Sequence, residues 1–238
     1  MILWKGNPAW PSLVWQLYDW YLRPNAVYYF AKRACEPLHI QLNLVDGTVW
    51  AINATRQDRQ NLEAHIQFYD RTFRKTGEFS AAAAVPALSL REIRQEGQDS
   101  LIPEGNGFAA LYLRDKGKLV SDNFYWLSRE GNFSFLATLP RADLKVSAKR
   151  ELKDGHPVVK LRLKNISSGP VFFLALRMGR KGGEEILPSF WSDNYLSLLP
   201  GESRDITWTA DKEISPRESL LQLRLEGWNL PAQIIAVD

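Results

Sequence analysis

The sequence predicts a mainly β protein in which two β-sandwich domains follow a short helical segment. The spacing of hydrophobic residues changes after Pro37 from about four, typical of helices, to two, typical of half-buried strands. Alternating segments then recur to the end of the chain, separated by clusters of Gly, Pro, Asn and Asp, as in a β-sandwich. The length of 238 residues suits two such domains of roughly 100 residues each.

The first 37 residues carry four of the nine tryptophans, Trp4, Trp10, Trp15 and Trp20. The hydrophobic pattern of this segment predicts two helices, at 11–21 and 25–34, separated by Arg-Pro-Asn. A short helical hairpin cannot bury so much aromatic surface against itself, and an exposed apolar patch of that size indicates an interface. We therefore expect the helices to pack on the sheet formed by 38–68 or on a second copy of the chain.

The first sandwich is predicted to begin with strands at 38–44 and 49–54. Asp46 and Gly47 between them predict a two-residue hairpin turn with positive φ at both positions. The strand at 77–85 has weak support, because positions 81–84 are alanines, which are poor strand formers. The other predicted strands of this domain are 62–68, 88–94, 108–114 and 122–127.

A linker at 137–142, interrupted by Pro140, separates the second domain from the first. This domain is predicted to open with strands at 144–148 and 159–164 around another Asp-Gly turn, at 154–155. In both domains an Asn-x-Ser/Thr sequence ends the second strand, at Asn53 and Asn165. The other predicted strands are 170–176, which reads as buried on both faces, and 206–209, 221–226 and 234–237.

Composition excludes several classes of function. The net charge of +3 arises from 30 basic and 27 acidic residues spread along the chain, which does not indicate a nucleic-acid partner. No stretch is long and apolar enough to predict a membrane span. The single cysteine, Cys35, excludes an internal disulfide, and we expect it to be a packed thiol because no base is identifiable beside it.

Catalytic and metal-binding constellations are not recognisable in the sequence. His39, His65 and His156 are scattered without metal-ligand spacing, and the first two are predicted on the solvent faces of strands. The glycines at 179–183 do not form a phosphate-binding loop. We therefore expect no catalytic residue, no metal site and no cofactor in this chain.

A Ser-Asp-Asn-aromatic sequence occurs twice, beginning at Ser121 and at Ser192. The two copies are 71 residues apart, whereas Asn53 and Asn165 are 112 apart. The two copies therefore cannot occupy equivalent strands of aligned repeats, and turn chemistry of Asp and Asn is the simpler interpretation.

The pattern W-x-x-N-x-x-W-P, formed by Trp4, Asn7, Trp10 and Pro11, resembles the end of the catalytic barrel in glycoside hydrolase family 2. Residues 12–41 resemble the last barrel helix and the entry into the next sandwich domain, most closely in the exo-β-D-glucosaminidase and β-mannosidase branch. Mannosylglycoprotein endo-β-mannosidase is also similar. Residues 121–128 and 191–202 resemble the two C-terminal immunoglobulin-like domains of those enzymes.

This resemblance implies a helical remnant of a (β/α)8 barrel at 1–37 and immunoglobulin-like sandwiches at 38–137 and 138–238. The two catalytic glutamates of the family lie upstream of any residue that matches here. The chain is thus expected to be a non-catalytic C-terminal accessory region of a retaining glycoside hydrolase acting on β-linked glucosamine or mannose. By resemblance, Trp4 would line the sugar pocket with Asn7 beside it. The sequence leaves the compartment of the chain unknown, and a periplasmic or secreted parent enzyme is compatible with it.

Two further interpretations of the same residues remain open. In the accessory region, the loop of Ser192, Asp193, Asn194 and Tyr195 would reach toward the substrate entrance. Alternatively, the chain is a carbohydrate-binding module for a polysaccharide such as chitosan or mannan, with sugar platforms at Trp126, Trp191 and Trp228. The expected partners are the catalytic barrel, carbohydrate, or a second copy of the chain joined through the aromatic helices.

Overall fold

The computed structural model describes residues 6–11, 16–93, 105–128, 130–153, 156–210 and 221–237. Within them one α-helix and one short 3₁₀ helix accompany fifteen strands, which confirms the predicted mainly β fold. The helices are α1 (Ala26–Ala34) and the 3₁₀ helix Ser134–Thr138. The strands are β1 (Leu38–Leu42), β2 (Val49–Asn53), β3 (Arg59–Asp70), β4 (Lys75–Val85), β5 (Ser89–Ile93), β6 (Gly107–Asp115), β7 (Lys118–Leu127), β8 (Leu144–Lys153), β9 (His156–Asn165), β10 (Val171–Arg180), β11 (Ser189–Trp191), β12 (Leu196–Leu198), β13 (Ser203–Ala210), β14 (Leu221–Glu226) and β15 (Gln233–Val237).

The chain forms two compact units. The first, Ala31–Leu139, is called the first sandwich here. The second sandwich is Pro140–Asp238 together with the N-terminal residues up to Phe30. The N-terminal segment thus belongs to the second sandwich. Tyr29 lies in the core of the second sandwich, so the expectation that the segment packs on the sheet at 38–68 is wrong for this residue.

In the first sandwich, the sheet β1-β2-β5 packs against the sheet β4-β3-β6-β7. Alternate side chains of each strand enter one core because successive residues point to opposite faces of a sheet. The alanines of β4 fit this scheme, since Ala83 is buried opposite Leu62 while Ala82 and Ala84 face solvent. Fully buried members of this core are Ile40, Val49, Leu62, Ile66, Leu111 and Leu113.

The connection between β1 and β2 differs from the predicted two-residue turn. Leu42 pairs with Val49, so six residues form the connection, and only Gly47 has a positive φ, of 78°. The Asp46 carboxylate accepts hydrogen bonds from the amide (2.9 Å) and the hydroxyl (2.7 Å) of Thr48. It also accepts one from the Asn43 side chain at 2.9 Å, so these polar side chains stabilise a wider loop than the Asp-Gly rule predicts.

In the second sandwich, the sheet β11-β13-β9-β8 packs against the sheet β12-β10-β14-β15. The largest buried side chain is Trp208, and the run Val171–Leu176 is buried at five of its six positions, as predicted for a strand covered on both faces. Strands β11 and β12 were not predicted, because three residues are too few to show a period. The predicted turn at 154–155 lies outside the described residues, although the flanking Lys153 and His156 are paired.

Asn53 and Asn165 have equivalent roles in the two sandwiches, which share the plan of their first two strands. Each side chain is buried at the end of a second strand and donates to main-chain carbonyls of its own sandwich. Each also accepts a hydrogen bond from the amide two residues later, at Thr55 and Ser167. The Asn-x-Ser/Thr pattern is therefore explained here by turn geometry.

The two Ser-Asp-Asn sequences lie in different settings, which confirms that they are not equivalent. Residues 121–124 are part of β7, whereas residues 192–195 connect β11 to β12. In β7, the Asn123 amide donates to the carbonyl of Ile40 at 2.5 Å, and the Ser121 hydroxyl accepts from the Ile40 amide at 3.3 Å. This link between β7 and β1 covers the ring of His39.

Three predictions on individual residues need correction. His39 was predicted on a solvent face but is buried, because Ser121 of β7 covers it, with 3.4 Å between its Nδ1 and the Ser121 Oγ. Cys35 was predicted to be packed but is exposed at the end of α1. Residues 16–21 are not helical as predicted, since Tyr18 pairs with Pro24 and the chain turns between them, while 12–15 lie outside the described residues.

Helix α1 agrees with the predicted helix at 25–34. The Asn25 side chain accepts a hydrogen bond from the Tyr28 amide at 3.3 Å, in the manner of a helix N-cap. Lys32 and Arg33 lie in the last turn, where positive charge suits the helix dipole. None of the helices that the structure describes is long and apolar enough to cross a membrane.

Candidate docking site

The N-terminal segment is fixed to the second sandwich through Tyr29. This residue is 1% exposed and belongs to the same buried cluster as Leu196 and Trp208. It is the only buried residue of α1, so the helix rests on the sandwich through one side chain that enters the core. A short helix needs such tertiary packing, because nine residues are too few to be stable alone in water.

Aromatic rings extend this contact on both sides of Tyr29. Its ring centroid lies 5.0 Å from that of Tyr28, at an edge-to-face angle of 86°, and 5.9 Å from that of Tyr195. The ring of Phe30 stacks on that of Phe173 at 6.2 Å and 21°. Such pairs contribute roughly 0.5–1.5 kcal/mol each beyond their buried area, so the cluster holds the segment in one orientation.

Phe173 contacts Phe30 because the backbone of β10 is irregular at this point. Its φ is 54°, a left-handed value that is unusual for a large side chain, and the pairing of β10 with β12 shifts register between Val171 and Leu174. The ring of Phe173 also lies 5.6 Å from that of Tyr195. The irregularity of the strand thus supplies part of the surface that receives the helix.

The connection between β11 and β12 supplies the rest of that surface. The Asn194 side chain is 3% exposed and bonds the backbone of β10 twice, donating to the Leu176 carbonyl at 2.9 Å and accepting from the Leu176 amide at 2.8 Å. It replaces the two ladder hydrogen bonds that a neighbouring strand would make. Tyr195 follows with a φ of 50°, which directs its ring toward Tyr29.

The phenol groups of Tyr29 and Tyr195 are neutral over the physiological pH range. Burial raises the pKa of Tyr29 well above its ordinary value, and a hydrogen bond from Asn194 only partly opposes that rise. Burial also raises the pKa of Tyr195, although the charges of Arg177 and Arg23 act in the other direction. The rings therefore pack without any charge to desolvate.

An ion pair ties the segment to the second sandwich at a second point. The Arg23 Nε lies 3.0 Å and 2.9 Å from the two carboxylate oxygens of Glu185, in the loop after β10. The same guanidinium also bonds the Asp19 carboxylate at 3.0 Å. Both side chains of the Arg23–Glu185 pair are largely shielded from solvent, a setting in which a charged hydrogen bond is stronger than at an open surface.

The opposite side of the segment is uncovered. Trp10 is 69% exposed and Tyr21 is 61% exposed, and further exposed apolar side chains are Trp20, Leu22 and Val27. Asn7 is exposed as well, and its side chain donates a hydrogen bond to the adjacent Pro8 carbonyl at 3.4 Å. Trp4, the predicted partner of Asn7 in a sugar pocket, lies outside the described residues. The described part of the segment thus combines a buried anchor with several exposed apolar side chains.

The predicted loop and sugar platforms have mixed outcomes. Trp191 is only 7% exposed and lies 6.3 Å from Trp208 in the core, so it cannot serve as an exposed platform. Trp228 is 59% exposed, with its ring edge-on to Phe172 at 6.5 Å, while Trp126 is half-buried. In the predicted entrance loop, Ser192 is exposed, and Asp193 and Tyr195 are half-buried. Asn194 is buried, and its side chain is hydrogen-bonded to the backbone of β10.

Sequence reasoning missed the residues that anchor the segment. The aromatic residues at 28–30 are consecutive and therefore surround the helix, so their spacing does not show which ring enters a core. The Arg23–Glu185 contact joins residues 162 positions apart, and no local pattern indicates it. Within the described residues, no group of three or more His, Cys, Asp or Glu side chains could hold a metal ion.

Comparisons with known proteins agree with this architecture. Residues 47–129 match the family model of the mannosidase Ig/CBM-like domain, and residues 123–230 match that of the exo-beta-D-glucosaminidase Ig-fold domain. The chain is 31% identical to an exo-beta-D-glucosaminidase of Amycolatopsis orientalis over 100% of its length and 25% of that protein. It is 23% identical to a mannosylglycoprotein endo-beta-mannosidase of Lilium longiflorum, over 96% of its length and 30% of that protein.

A solved structure extends the likeness to three dimensions. The exo-chitosanase CsxA of Amycolatopsis orientalis superimposes with a TM-score of 0.84 at 29% identity, over 97% of this chain and 30% of that one. The chain thus spans between a quarter and a third of the length of three exo-beta-D-glucosaminidases that it matches.

Proposed function

Because the chain consists of Ig-fold domains of the exo-beta-D-glucosaminidase and mannosidase type of glycoside hydrolase family 2, we propose that it is a non-catalytic accessory region of a retaining glycosidase. The family expected from the sequence is confirmed. The parent enzyme would hydrolyse β-linked glucosamine or mannose, and this chain would support its catalytic barrel.

One observation carries the architectural part of this proposal. The N-terminal segment buries Tyr29 in the second sandwich but leaves Trp10, Trp20 and Tyr21 exposed. Covering the exposed part of rings such as Trp20 and Tyr21 would contribute about 2 kcal/mol each, from the surface of an aromatic side chain and the usual hydrophobic coefficient. A segment held rigidly on one side and apolar on the other is suited to join two bodies.

The catalytic barrel is the occupant that best fits the exposed face. The matched relatives are more than three times as long as this chain, so most of each relative is a region that this chain does not represent. The exposed aromatic side chains of the N-terminal segment would supply an apolar surface for that region. Tyr29 and the Arg23–Glu185 pair hold the segment on the second sandwich while these rings are exposed.

The first test is a binding and activity experiment with the chain and a separately produced catalytic barrel encoded by the same genome. We expect no turnover of chromogenic β-glucosaminide or β-mannoside by the chain alone and a saturable complex with the barrel in calorimetry. Trp20→Ala combined with Tyr21→Ala should weaken the complex at least tenfold, because it removes the exposed rings. Trp228→Ala, which removes an equally exposed ring elsewhere on the second sandwich, is the matched control.

Two results would contradict the proposal. Turnover by the chain alone would make it an enzyme in its own right. A stable dimer in light scattering, abolished by the same double substitution, would mean that a second copy covers the aromatic face instead of a barrel.

A second candidate function is carbohydrate binding, favoured by the exposed ring of Trp228. Its edge-on contact with Phe172 and its main-chain hydrogen bond to the same residue, at 2.9 Å, fix a flat apolar surface toward solvent. Titration with chitosan and mannan oligomers, followed by tryptophan fluorescence, tests this function. Saturable binding that Trp228→Ala abolishes and Trp10→Ala leaves unchanged would support a carbohydrate-binding module, and the absence of saturable binding would refute it.

A further inference from the structure

A cleft of about 380 Å³ lies beside strands β10, β14 and β15 of the second sandwich. Arg177 and Arg180 of β10 and Arg224 of β14 line it, and Arg23 and Glu185 form one side. The concentration of guanidinium groups is unusual for a chain in which acidic and basic residues are nearly balanced. This cleft is separate from every residue that the proposed function uses for docking, except Arg23 and Glu185.

The loop after β10 forms a wall of the cleft. The Arg180 amide donates to the Glu184 carbonyl at 2.8 Å, and the Ile186 amide returns to the Met178 carbonyl at 2.9 Å, so the loop folds back on the strand. Gly179 permits this approach, since a Cβ atom there would lie 2.8 Å from the Glu184 carbonyl oxygen. The missing side chain also leaves the floor of the cleft open beside Arg177.

The arginines of the cleft exceed the carboxylates available to them. Among the described residues that line the cleft, four are arginines and one, Glu185, is acidic and is engaged by Arg23. Glu226 is shared by Arg177 at 3.5 Å and Arg224 at 3.0 Å. Glu184 lies 3.7 Å from Arg180, and its side chain is largely exposed, so its attraction is strongly screened. The site therefore retains an excess of positive charge.

Two features of this arrangement are unfavourable without a ligand. Arg177 and Arg224 are direct partners across β10 and β14, and like charges directly opposite each other destabilise a sheet. In addition, the Arg177 Nε is buried and finds no acceptor in the part of the chain that the structure describes. A buried donor without an acceptor is costly. Glu226 offsets part of the repulsion between the two guanidinium groups, and an anion placed between them would offset the rest.

We propose that this cleft binds a small oxyanion, in which Arg177 and Arg224 hold the oxygens of a carboxylate or phosphate group. The planar fork of a guanidinium matches the spacing of two such oxygens and forms charge-assisted hydrogen bonds with them. The terminal nitrogens of the Arg177 and Arg224 guanidinium groups supply the donors, and Arg180, which lines the same cleft, adds charge. A protonated amino sugar is repelled here, so the ligand class differs from the substrate of the proposed parent enzyme.

The test is a titration of the whole chain with inorganic phosphate, and separately with acetate and glucuronate, at constant ionic strength maintained with sodium chloride. Calorimetry or amide chemical shifts should show saturable binding at one site for at least one of these anions and none for chloride. Binding of phosphate alone would identify a phosphoryl ligand, and binding of the carboxylates alone would identify an organic acid. Both outcomes support the proposal.

The variants Arg177→Gln and Arg224→Gln should each weaken binding at least tenfold. Arg162→Gln is the matched control, because Arg162 is an exposed arginine of β9 beside a single carboxylate, Asp205. Thermal unfolding of each variant shows whether it is folded, and Arg224→Gln keeps the test informative if Arg177→Gln is unstable. Chemical shifts that do not saturate with anion concentration would show only ionic screening and would overturn the proposal. An equal loss of anion affinity in Arg162→Gln would overturn it as well.

Discussion

The two sandwiches differ in the course of the chain after their third strand. In the first sandwich, β3 is followed directly by β4, whose eleven residues pair along β3 and close that edge of the sheet. In the second sandwich, β10 is followed by two strands of three residues each. The first, β11, pairs with β13 in the opposite sheet, and the second, β12, pairs with β10. The connection between β11 and β12 carries Asn194 and Tyr195.

The difference shows how a sandwich can receive an external element without losing backbone hydrogen bonds. Strand β12 is too short to cover β10, and the Asn194 amide group makes the two bonds to Leu176 that a longer strand would make. The space left beside β10 is filled by Tyr29, with Phe173 and Tyr195 around it. The first sandwich has a continuous strand at this position, whereas the second has a receptor surface for the N-terminal segment.

The largest expected effect concerns the residue that fills this surface. Tyr29→Ala should lower the free energy of unfolding of the second sandwich by about 3–5 kcal/mol, the usual cost of removing a large buried ring. Urea unfolding followed by tryptophan fluorescence measures this loss. Val27→Ala, on the exposed face of the same helix, should change stability by less than about 0.5 kcal/mol. Equal effects of the two substitutions would mean that the segment is not anchored through Tyr29.

The fold of both sandwiches could largely be predicted from the sequence, because a half-buried strand repeats with a period of two. The strands that escaped prediction, β11 and β12, have three residues each and show no period. The burial of His39 was also not predicted, because it depends on a contact with a distant strand. His39 lies on the outer face of β1, but Ser121 of β7 covers it.

The candidate site was less predictable, since its contacts join distant parts of the chain. The aromatic density of the N-terminal segment predicts an interface, and this stays a prediction. The spacing of its rings could not show that Tyr29 is the anchor. Asn194 stood out in the sequence as part of a turn motif, and its bonds to Leu176 depend on the course of β10 eighteen residues earlier. Trp191 lies in a short strand, so its burial had no periodic signal.

The second prediction compares the equivalent asparagines of the two sandwiches. Asn53→Ala and Asn165→Ala should each cost about 2–3 kcal/mol in the free energy of unfolding, because each leaves buried carbonyl groups without a donor. Asn53 donates to the carbonyls of Gln57, Val85 and Pro86, and Asn165 to those of Gly169 and Leu198. The first sandwich should therefore lose slightly more.

Urea unfolding of the two variants measures the difference, and the exposed Asn132 of a third Asn-x-Ser sequence is the control. Asn132→Ala should change stability by about 0.5 kcal/mol or less, because the group that it bonds, the Ser134 amide, remains accessible to water. If Asn132→Ala lowered the free energy of unfolding as much as Asn53→Ala does, the burial of the Asn53 side chain could not explain its effect.

The third prediction concerns alkaline pH. Burial raises the pKa of Tyr29 in the folded state, so its contribution to stability is complete below the unfolded pKa of about 10 and is lost as the pH rises toward the folded value. The expected loss is about 1.4 kcal/mol for each pH unit above 10. Stability curves between pH 9 and pH 11 should be steeper for the wild-type chain than for Tyr29→Phe, and identical slopes would exclude this tyrosine as the source.

The smallest expected effect is that of the Arg23–Glu185 pair, which adds orientation to the anchor that Tyr29 provides. A double-mutant cycle with Arg23→Gln and Glu185→Gln should give a coupling energy of about 1 kcal/mol, since the pair is doubly bonded and largely shielded. The exposed Arg162–Asp205 pair, at 3.8 Å, should give almost none. Because Arg23 also bonds Asp19 within the segment, its loss should hasten proteolytic cleavage at 19–23 more than the loss of Glu185 does. Equal coupling in the two pairs would mean that Tyr29 alone holds the segment on the second sandwich.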